Sequence, residues 1–364
     1  MMENKNKKNK KIKICYFGAY RVDLCRNTIY IAGLKQNNIE VIECFDHGPG
    51  LIKYYKLFIK HWKIRNDYDV MIVGYTGPLI VILAKLISKR PIIFNAMASL
   101  YEVNIISRKR YSRHSFMAWR TWLVDWLAFK FADLVLVETN RQKEYLVKKF
   151  RIKPEKFARL FTGADDSIFY LDPNIKKNEK FTVLFRGRFL PEAGVKYILE
   201  AAKILEKKDV NFIIIGGAGL EKEVRKQIEE LDLKNLDYVQ KKLGEKELRE
   251  KMLTAHVSIG QVENHERLER TIPFKAFESL ALKLPYINGN GLGIKELFED
   301  RKNCLLVNMA DPEDLVEKIL ELKNDPELRK KIAENGYELY KEKLTPRALG
   351  KELLDIIRTK LGVF

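Results

Sequence analysis

Along residues 11–17 polar and apolar positions alternate before the chain turns wholly apolar and meets Gly18, Ala19 and Tyr20. That pattern predicts a strand running into a glycine-containing loop. Residues 27–36 then follow helical spacing, 39–45 and 70–74 read as strands, and further strands are expected at 91–95 and 134–138, the last after an aromatic helix over 117–131. Strands alternating with helices predict a parallel sheet covered on both faces. The stretch LDPNIKKNEK, 171–180, is polar and carries a proline, as a linker should. Beyond it the pattern restarts with a strand at 181–186, a helix at 195–207, a strand at 211–216, the turn GGAGLEKE with a helix, and a strand at 236–240. The expected fold is therefore α/β, with two doubly wound Rossmann-like domains over 11–172 and 173–345. A helix at 346–361, within a last segment 346–364, is expected to pack at the junction. Ligands of such sheets bind beyond the carboxyl ends of the strands. Two facing domains would thus put Gly18 on one wall of a cleft and Arg188, Gly217 and Pro273 on the other.

Composition supports two folded units. The 364 residues are 46% hydrophobic and 11% aromatic, enough for two cores of ordinary size. A formal charge of +18 suits an anionic membrane, nucleic acid or phosphorylated small molecules, and does not choose among them. Part of it lies in a basic start, 1–10, too poor in apolar residues to fold and without a secretory hydrophobic stretch. PLIVILAKLI, from Pro78, is too short to span a membrane and contains Lys85. The four cysteines show no metal-ligand spacing, and no metal is expected. A cytoplasmic chain, or one peripheral on the cytoplasmic membrane face, is the expectation.

The chemistry concentrates in RTIPFKAFESLALKLP, 270–285. Pro273 suits a first helical turn because it has no N–H to leave unsatisfied. Phe274, Phe277, Leu280, Ala281 and Leu284 define one buried face, and Pro285 marks the end. The free amides and positive dipole end of such a helix can receive a phosphate, with Lys275 adding charge. Glu278 could accept hydrogen bonds from a ribose. In FRGRFLPEAGVKYILEAAKIL, Arg188 stands just past a strand, where its guanidinium could clamp a diphosphate or simply be solvated.

These segments resemble glycosyltransferase family four, the retaining GT-B enzymes. Gly187, Arg188 and Gly194 match its Gly-Arg…Lys-Gly motif, with Ala193 at the family's lysine and Lys275, or more weakly Lys196, as the substitute cation. Glu278 matches the second of two glutamates eight positions apart, and the first is Arg270 here. Arg270, Ile272, Pro273, Lys275 and Glu278 match a subgroup that reads Arg, Ile-Pro, Lys and Glu. Glu263, Glu266 or Glu269 could meet the donor sugar. The resemblance also implies a glycine loop at Gly291 and Gly293 near phosphate or sugar, Glu296 at the start of the next helix, and a nucleobase pocket at 238–243 beginning with Tyr238. In FNAMASLYE, Asn95 and Glu102, with Ser99 between them, stand near the family's usual histidine or acid, while Gly163 and Asp165 match a structural turn.

What the resemblance implies is a hexosyltransferase that needs no cofactor. It would take a nucleoside-diphosphate sugar as donor and a glycan or lipid-linked acceptor, and would retain anomeric configuration. Arg188 and Lys275 would stabilise the leaving diphosphate, with Asn95 and Glu102 as first-domain catalytic candidates. A sugar-nucleotide epimerase or hydrolase of the same fold is the rival, and a basic nucleic-acid-binding protein a more distant one; no groove-reading motif is present, and no nucleic acid is expected as a partner. Residues 51–65, LIKYYKLFIKHWKIR, interleave aromatics and lysines as a helix at an anionic membrane would, or as one packing on the sheet would. The stripe of Trp119, Trp122, Trp126 and Phe129 reads as core.

Overall fold

The computed structural model describes residues 12–20, 25–241 and 243–363; the basic start at 1–10 lies outside them. The first domain has strands β1 (Lys13–Gly18), β2 (Glu40–Phe45), β3 (Val70–Val73), β4 (Ile92–Asn95), β5 (Leu134–Val137) and β6 (Phe157–Arg159). They form one sheet in the order β2-β1-β3-β4-β5-β6, with every pairing parallel. Its helices are α1 (Cys25–Gln36), α2 (Ile52–Ile64), α3 (Pro78–Ile87), α4 (Phe116–Phe131) and α5 (Asn140–Phe150). β1, β3, β4 and β5 are apolar almost throughout because helices cover both of their faces.

The second domain repeats the plan with β7 (Phe181–Phe189), β8 (Val210–Gly219), β9 (Leu236–Val239), β10 (Val257–Ile259), β11 (Tyr286–Gly289) and β12 (Leu305–Val307), ordered β12-β11-β10-β7-β8-β9. Between and after them run α6 (Val195–Ile204), α7 (Glu221–Leu231), α8 (Glu245–Thr254), α9 (Phe274–Ala281), α10 (Pro312–Asn324), α11 (Pro326–Leu339) and α12 (Pro346–Leu361). The two-domain α/β expectation holds. α12 crosses back to the first domain and lies on α1. The approach is close enough that a Cβ on Gly33 would meet the Pro346 carbonyl, and one on Gly350 the Gly33 carbonyl group. Only glycine fits at that crossing.

The largest departure from the sequence pattern is the length of β7 and β8. Both run on past the expected ends, so Arg188 lies inside β7, opposite Gly217, and GGAG extends β8 instead of turning. Gly216 makes this possible: its φ is +157°, and a side chain there would strike the Gly187 carbonyl.

The aromatic stripe of α4 is also only partly core. Phe129 is buried, and Trp122 stacks between Trp126 and Phe150. Trp119, however, is 56% exposed and Phe116, beside it, 70%. The first turn of α4 buries Ala118 instead and leaves Phe116 and Trp119 on its outer side.

Candidate active site

α9 starts where sequence places it, with Pro273 as its extended N-cap residue and no side chain capping the first amides. It ends at Ala281, short of Pro285, because Lys283 adopts a left-handed φ of +51°. Lys275 and Glu278 are both buried on it. Lys275 Nζ lies 3.6 Å from the centre of the Phe185 ring and directly under Gly187, whose φ of +145° brings the strand backbone close. Among the described residues the ammonium has no hydrogen bond and no carboxylate partner. Burial, reinforced by the Arg186 guanidinium and opposed by Glu192, holds its pKa well below the usual lysine range. Arg188 is exposed at the same end of β7 and likewise has no such partner. The structure therefore brings Gly187, Arg188, Lys275 and the α9 start together.

Glu278 is 2% exposed and ion-paired with Arg186, a residue that the sequence motifs did not single out. A ribose would thus meet the carboxylate alongside that guanidinium. Arg186 was legible only as a strand residue; its role depends on the outward turn of β7 next to α9.

Other candidates have different surroundings. Asn95 is fully buried. Its Oδ1 accepts from Arg26 Nε at 2.6 Å and its amide nitrogen donates to Tyr16 Oη at 3.3 Å, so the structure gives it a scaffold position instead of a cleft surface. Arg26 also donates to Thr162 at 2.8 Å, and Thr162 to Glu138 at 2.6 Å. Burial, opposed first by Arg26, pushes the Glu138 carboxyl up.

Glu102 and Arg270 were assigned to separate tasks and prove to be partners. The Arg270 guanidinium reaches Glu102 Oε1 at 3.2 Å across the domain boundary, stacks over Tyr145 at 4.0 Å and lies 3.5 Å from Glu266. Glu102 is fully buried and also accepts from Gln142 at 2.7 Å. Its segment is anchored by Asp125 on α4, which accepts from the Leu100 and Tyr101 amides at 3.0 and 2.8 Å; burial pushes that carboxyl to about 7. This pairing explains why a cation is tolerated where the related motif carries an acid: it neutralises the buried acid opposite.

Further contacts close the boundary. Thr139 Oγ1 donates to the Arg270 carbonyl, the Ile272 amide donates to Glu138 at 3.2 Å, and Glu296 accepts from the Asn140 and Arg141 amides at 2.7 Å each. Glu296 thereby caps α5 of the opposite domain and does not face a ligand.

The glycine loops do other work than expected. A Cβ on Gly291 would meet the Leu268 carbonyl at 2.5 Å, and one on Gly293 the Thr271 amide at 2.5 Å. Both positions therefore admit the backbone that precedes α9. At Gly217 the space is taken by Glu221, which accepts from the Ala218 amide at 2.8 Å, so a carboxylate already holds the α7 end. Tyr238 packs at 6.0 Å from Phe189 with its hydroxyl buried. Gly18 ends β1 with a φ of +142°. Glu263 pairs with Lys196 at 3.4 Å, and Glu269 accepts from the Leu292 amide. Beyond Arg188 a cavity of about 450 Å3 opens between Leu190, Val195, Leu220, Glu263 and His265, with Lys109 of the first domain on its rim.

Residues 168–339 match the family model described as Glycosyl transferases group 1. An alpha-D-kanosaminyltransferase of Streptomyces kanamyceticus is 24% identical over 242 residues, 64% of this chain and 61% of that one. An uncharacterized glycosyltransferase of Methanocaldococcus jannaschii is 32% identical over 222 residues, 59% of this chain and 57% of that one. The match thus spans about 60% of the length of these relatives. Among solved structures, Anabaena HepE in complex with UDP and glucose superposes with a TM-score of 0.69 at 16% identity, covering 96% of this chain and 100% of that one. Sucrose-phosphate synthase from Thermosynechococcus elongatus gives 0.73 at 14%, covering 97% and 100%. The two-sheet fold is thus that of GT-B structures, and the matched stretch 168–339, which carries Arg188, Lys275 and Glu278, is similar to glycosyl transferases group 1.

Proposed function

We propose that this protein is a retaining, metal-independent hexosyltransferase that moves a sugar from a nucleoside diphosphate to a glycan or lipid-linked acceptor. The observation that carries the reading is Lys275: a buried ammonium without a carboxylate, beside Arg188 and under a strand glycine, in a group 1 glycosyltransferase domain. A diphosphate would supply the missing anion, and as the bond from the sugar to the diphosphate oxygen breaks, both cations and the α9 amides would hold the charge that develops there. That arrangement performs the work a metal ion would otherwise do, and no cofactor enters it. Glu278 with Arg186 would hold the ribose. Retention is supported by the buried, fully engaged state of Asn95 and Glu102. With neither free to act as nucleophile or base, the acceptor hydroxyl would attack from the face of the leaving diphosphate and pass its proton to it.

The test is a panel of UDP, GDP and ADP with thermal denaturation. One member present at about a hundred times its Kd should add about 2.7 kcal/mol and raise Tm by several degrees. If none shifts Tm, the donor site is not there.

A membrane-displayed acceptor fits the outer face of the first domain. α2 buries Leu57 and His61 and turns Ile52, Tyr55, Ile59 and Trp62 outward among its lysines. The exposed residues Leu79, at the start of α3, and Phe116 and Trp119, at the start of α4, lie at the carboxyl edge of the same sheet, where the cleft opens. No helix among the described residues is long and apolar enough to cross a membrane. Such a surface would lie on an anionic leaflet from the cytoplasmic side. The protein should sediment with phosphatidylglycerol vesicles, and Tyr55→Ser, Ile59→Ser and Trp62→Ser combined should weaken that by about tenfold or more. A wild-type protein that stays in the supernatant would refute this part.

A further inference from the structure

The cleft carries one more cation than a diphosphate needs. Arg108 follows the helical turn Glu102–Ser107 of the first domain, which meets the second domain on either side of it. Ser107 Oγ donates to Glu192 Oε2 at 3.2 Å, and Lys109 shares the 450 Å3 cavity with Pro191, Gly194 and Glu263. Glu192 is buried and on its other side lies 3.6 Å from Arg267. Arg108 therefore stands over the turn between β7 and α6. There partial burial, reinforced by Arg110, Arg188 and Arg267 within electrostatic reach, holds its pKa below the ordinary arginine value.

Arg108 is half-buried, and among the described residues its guanidinium has neither a hydrogen bond nor a carboxylate. Glu192, the acid that its neighbour Ser107 reaches, is already shared by Ser107 and Arg267. A guanidinium with no counter-charge, held among like charges next to the Ser107–Glu192 hydrogen bond, costs free energy that a surface arginine would avoid by pointing into water. The two phosphates of a donor would be matched by Arg188 and Lys275, which leaves Arg108 over.

We propose that Arg108, supported by Arg267, forms a second anion subsite on the acceptor side of the cleft, and that it takes a phosphate-class group of the acceptor. The assignment rests on the donor reading above, since it takes Arg188 and Lys275 as engaged by the diphosphate. Arg108 belongs to the wall that faces the donor domain, and the adjoining cavity gives the rest of the acceptor a place. The acceptor phosphate is either that of a lipid headgroup or that of a soluble phosphorylated glycan; the recognition chemistry is shared.

The experiment titrates sodium phosphate, by calorimetry, into the free protein and into protein saturated with whichever nucleoside diphosphate binds. A phosphate event should survive saturation, and Arg108→Ala should weaken it by about tenfold, the loss expected for one charge-assisted contact. The same variant should weaken the nucleoside diphosphate far less, and it should keep or raise Tm because it relieves repulsion. Dihexanoyl phosphatidic acid against glycerol 3-phosphate then tells the two sources apart, the tighter binder naming the class. If saturation abolishes all phosphate binding, or if the surviving event ignores Arg108→Ala, the second subsite is overturned. Should no nucleoside diphosphate bind, the donor reading alone fails; an Arg108-dependent phosphate event that persists in Lys275→Met still supports the subsite, and its absence overturns that as well.

Discussion

Replacing Lys275 by methionine is expected to lower kcat/KM by about a hundredfold to a thousandfold, the usual loss when one preorganised donor to a developing oxyanion is removed. The same substitution should make the free protein more stable. Lys275 Nζ is buried against Phe185 without a carboxylate, so the folded chain bears a desolvation cost that a methionine of similar length avoids. Opposite effects on activity and stability are what a binding group predicts and a structural one does not. A Lys275→Met protein that is less stable and still binds nucleoside diphosphate would show that the lysine supports the fold.

Proton linkage gives the same residue a second signature. Its folded pKa lies well below the usual lysine range, so in the window between that value and the unfolded value of 10.5 the unfolded chain binds more protons. Stability should therefore rise with pH across the window, and the rise should be missing in Lys275→Met. A diphosphate favours the ammonium and restores the pKa, so binding within the window should take up a proton. Calorimetry of the nucleoside diphosphate in two buffers of different ionisation enthalpy reads that uptake directly. Equal heats in both buffers would contradict it.

Local signals carry the fold and point to part of the candidate site. The apolar runs of β1, β3, β4 and β5, the Pro-led α9 and the full span of α12 were readable because period, caps and prolines act over a few residues. Lys275 stands out by its place at the start of that helix, whereas Arg188 and Glu278 stand out only through the resemblance of their surroundings to a known motif. The remainder depends on contacts between distant residues. Arg270 and Glu102 are 168 positions apart, and neither shows in sequence that the other neutralises it. Gly291 and Gly293 show in sequence only as a glycine loop; that they sit against the backbone of Leu268 and Thr271 does not show there. The extension of β7 and β8 depends on a Gly187–Gly216 approach that period-two patterning does not encode. Trp119 reads as core because its spacing continues that of Trp122 and Trp126; that the first turn of α4 buries Ala118 instead does not show there.

Removing Arg270 should be the most destabilising single change at the domain boundary. Arg270→Ala leaves Glu102 fully buried with Gln142 donating to it and the Arg267 guanidinium only within electrostatic reach, and stripping a buried acid of its ion-pair partner costs about 3–5 kcal/mol. Glu102→Gln should cost less, because Arg270 is slightly exposed and keeps both Glu266 at 3.5 Å and the face of Tyr145. The double variant should then be no less stable than Arg270→Ala alone, since the second change removes the charge that the first one stranded. Urea denaturation of the four proteins closes the cycle. Because the pair joins the segment before α9 to the first domain, Arg270→Ala should also raise the KM for the donor sugar, whereas Glu102→Gln, which leaves the Arg270 side chain in place, should raise it less. Additive losses in the cycle would mean that the two residues do not act as a pair. They would then meet only because the domains close for other reasons, through Glu138, Thr139 and Glu296.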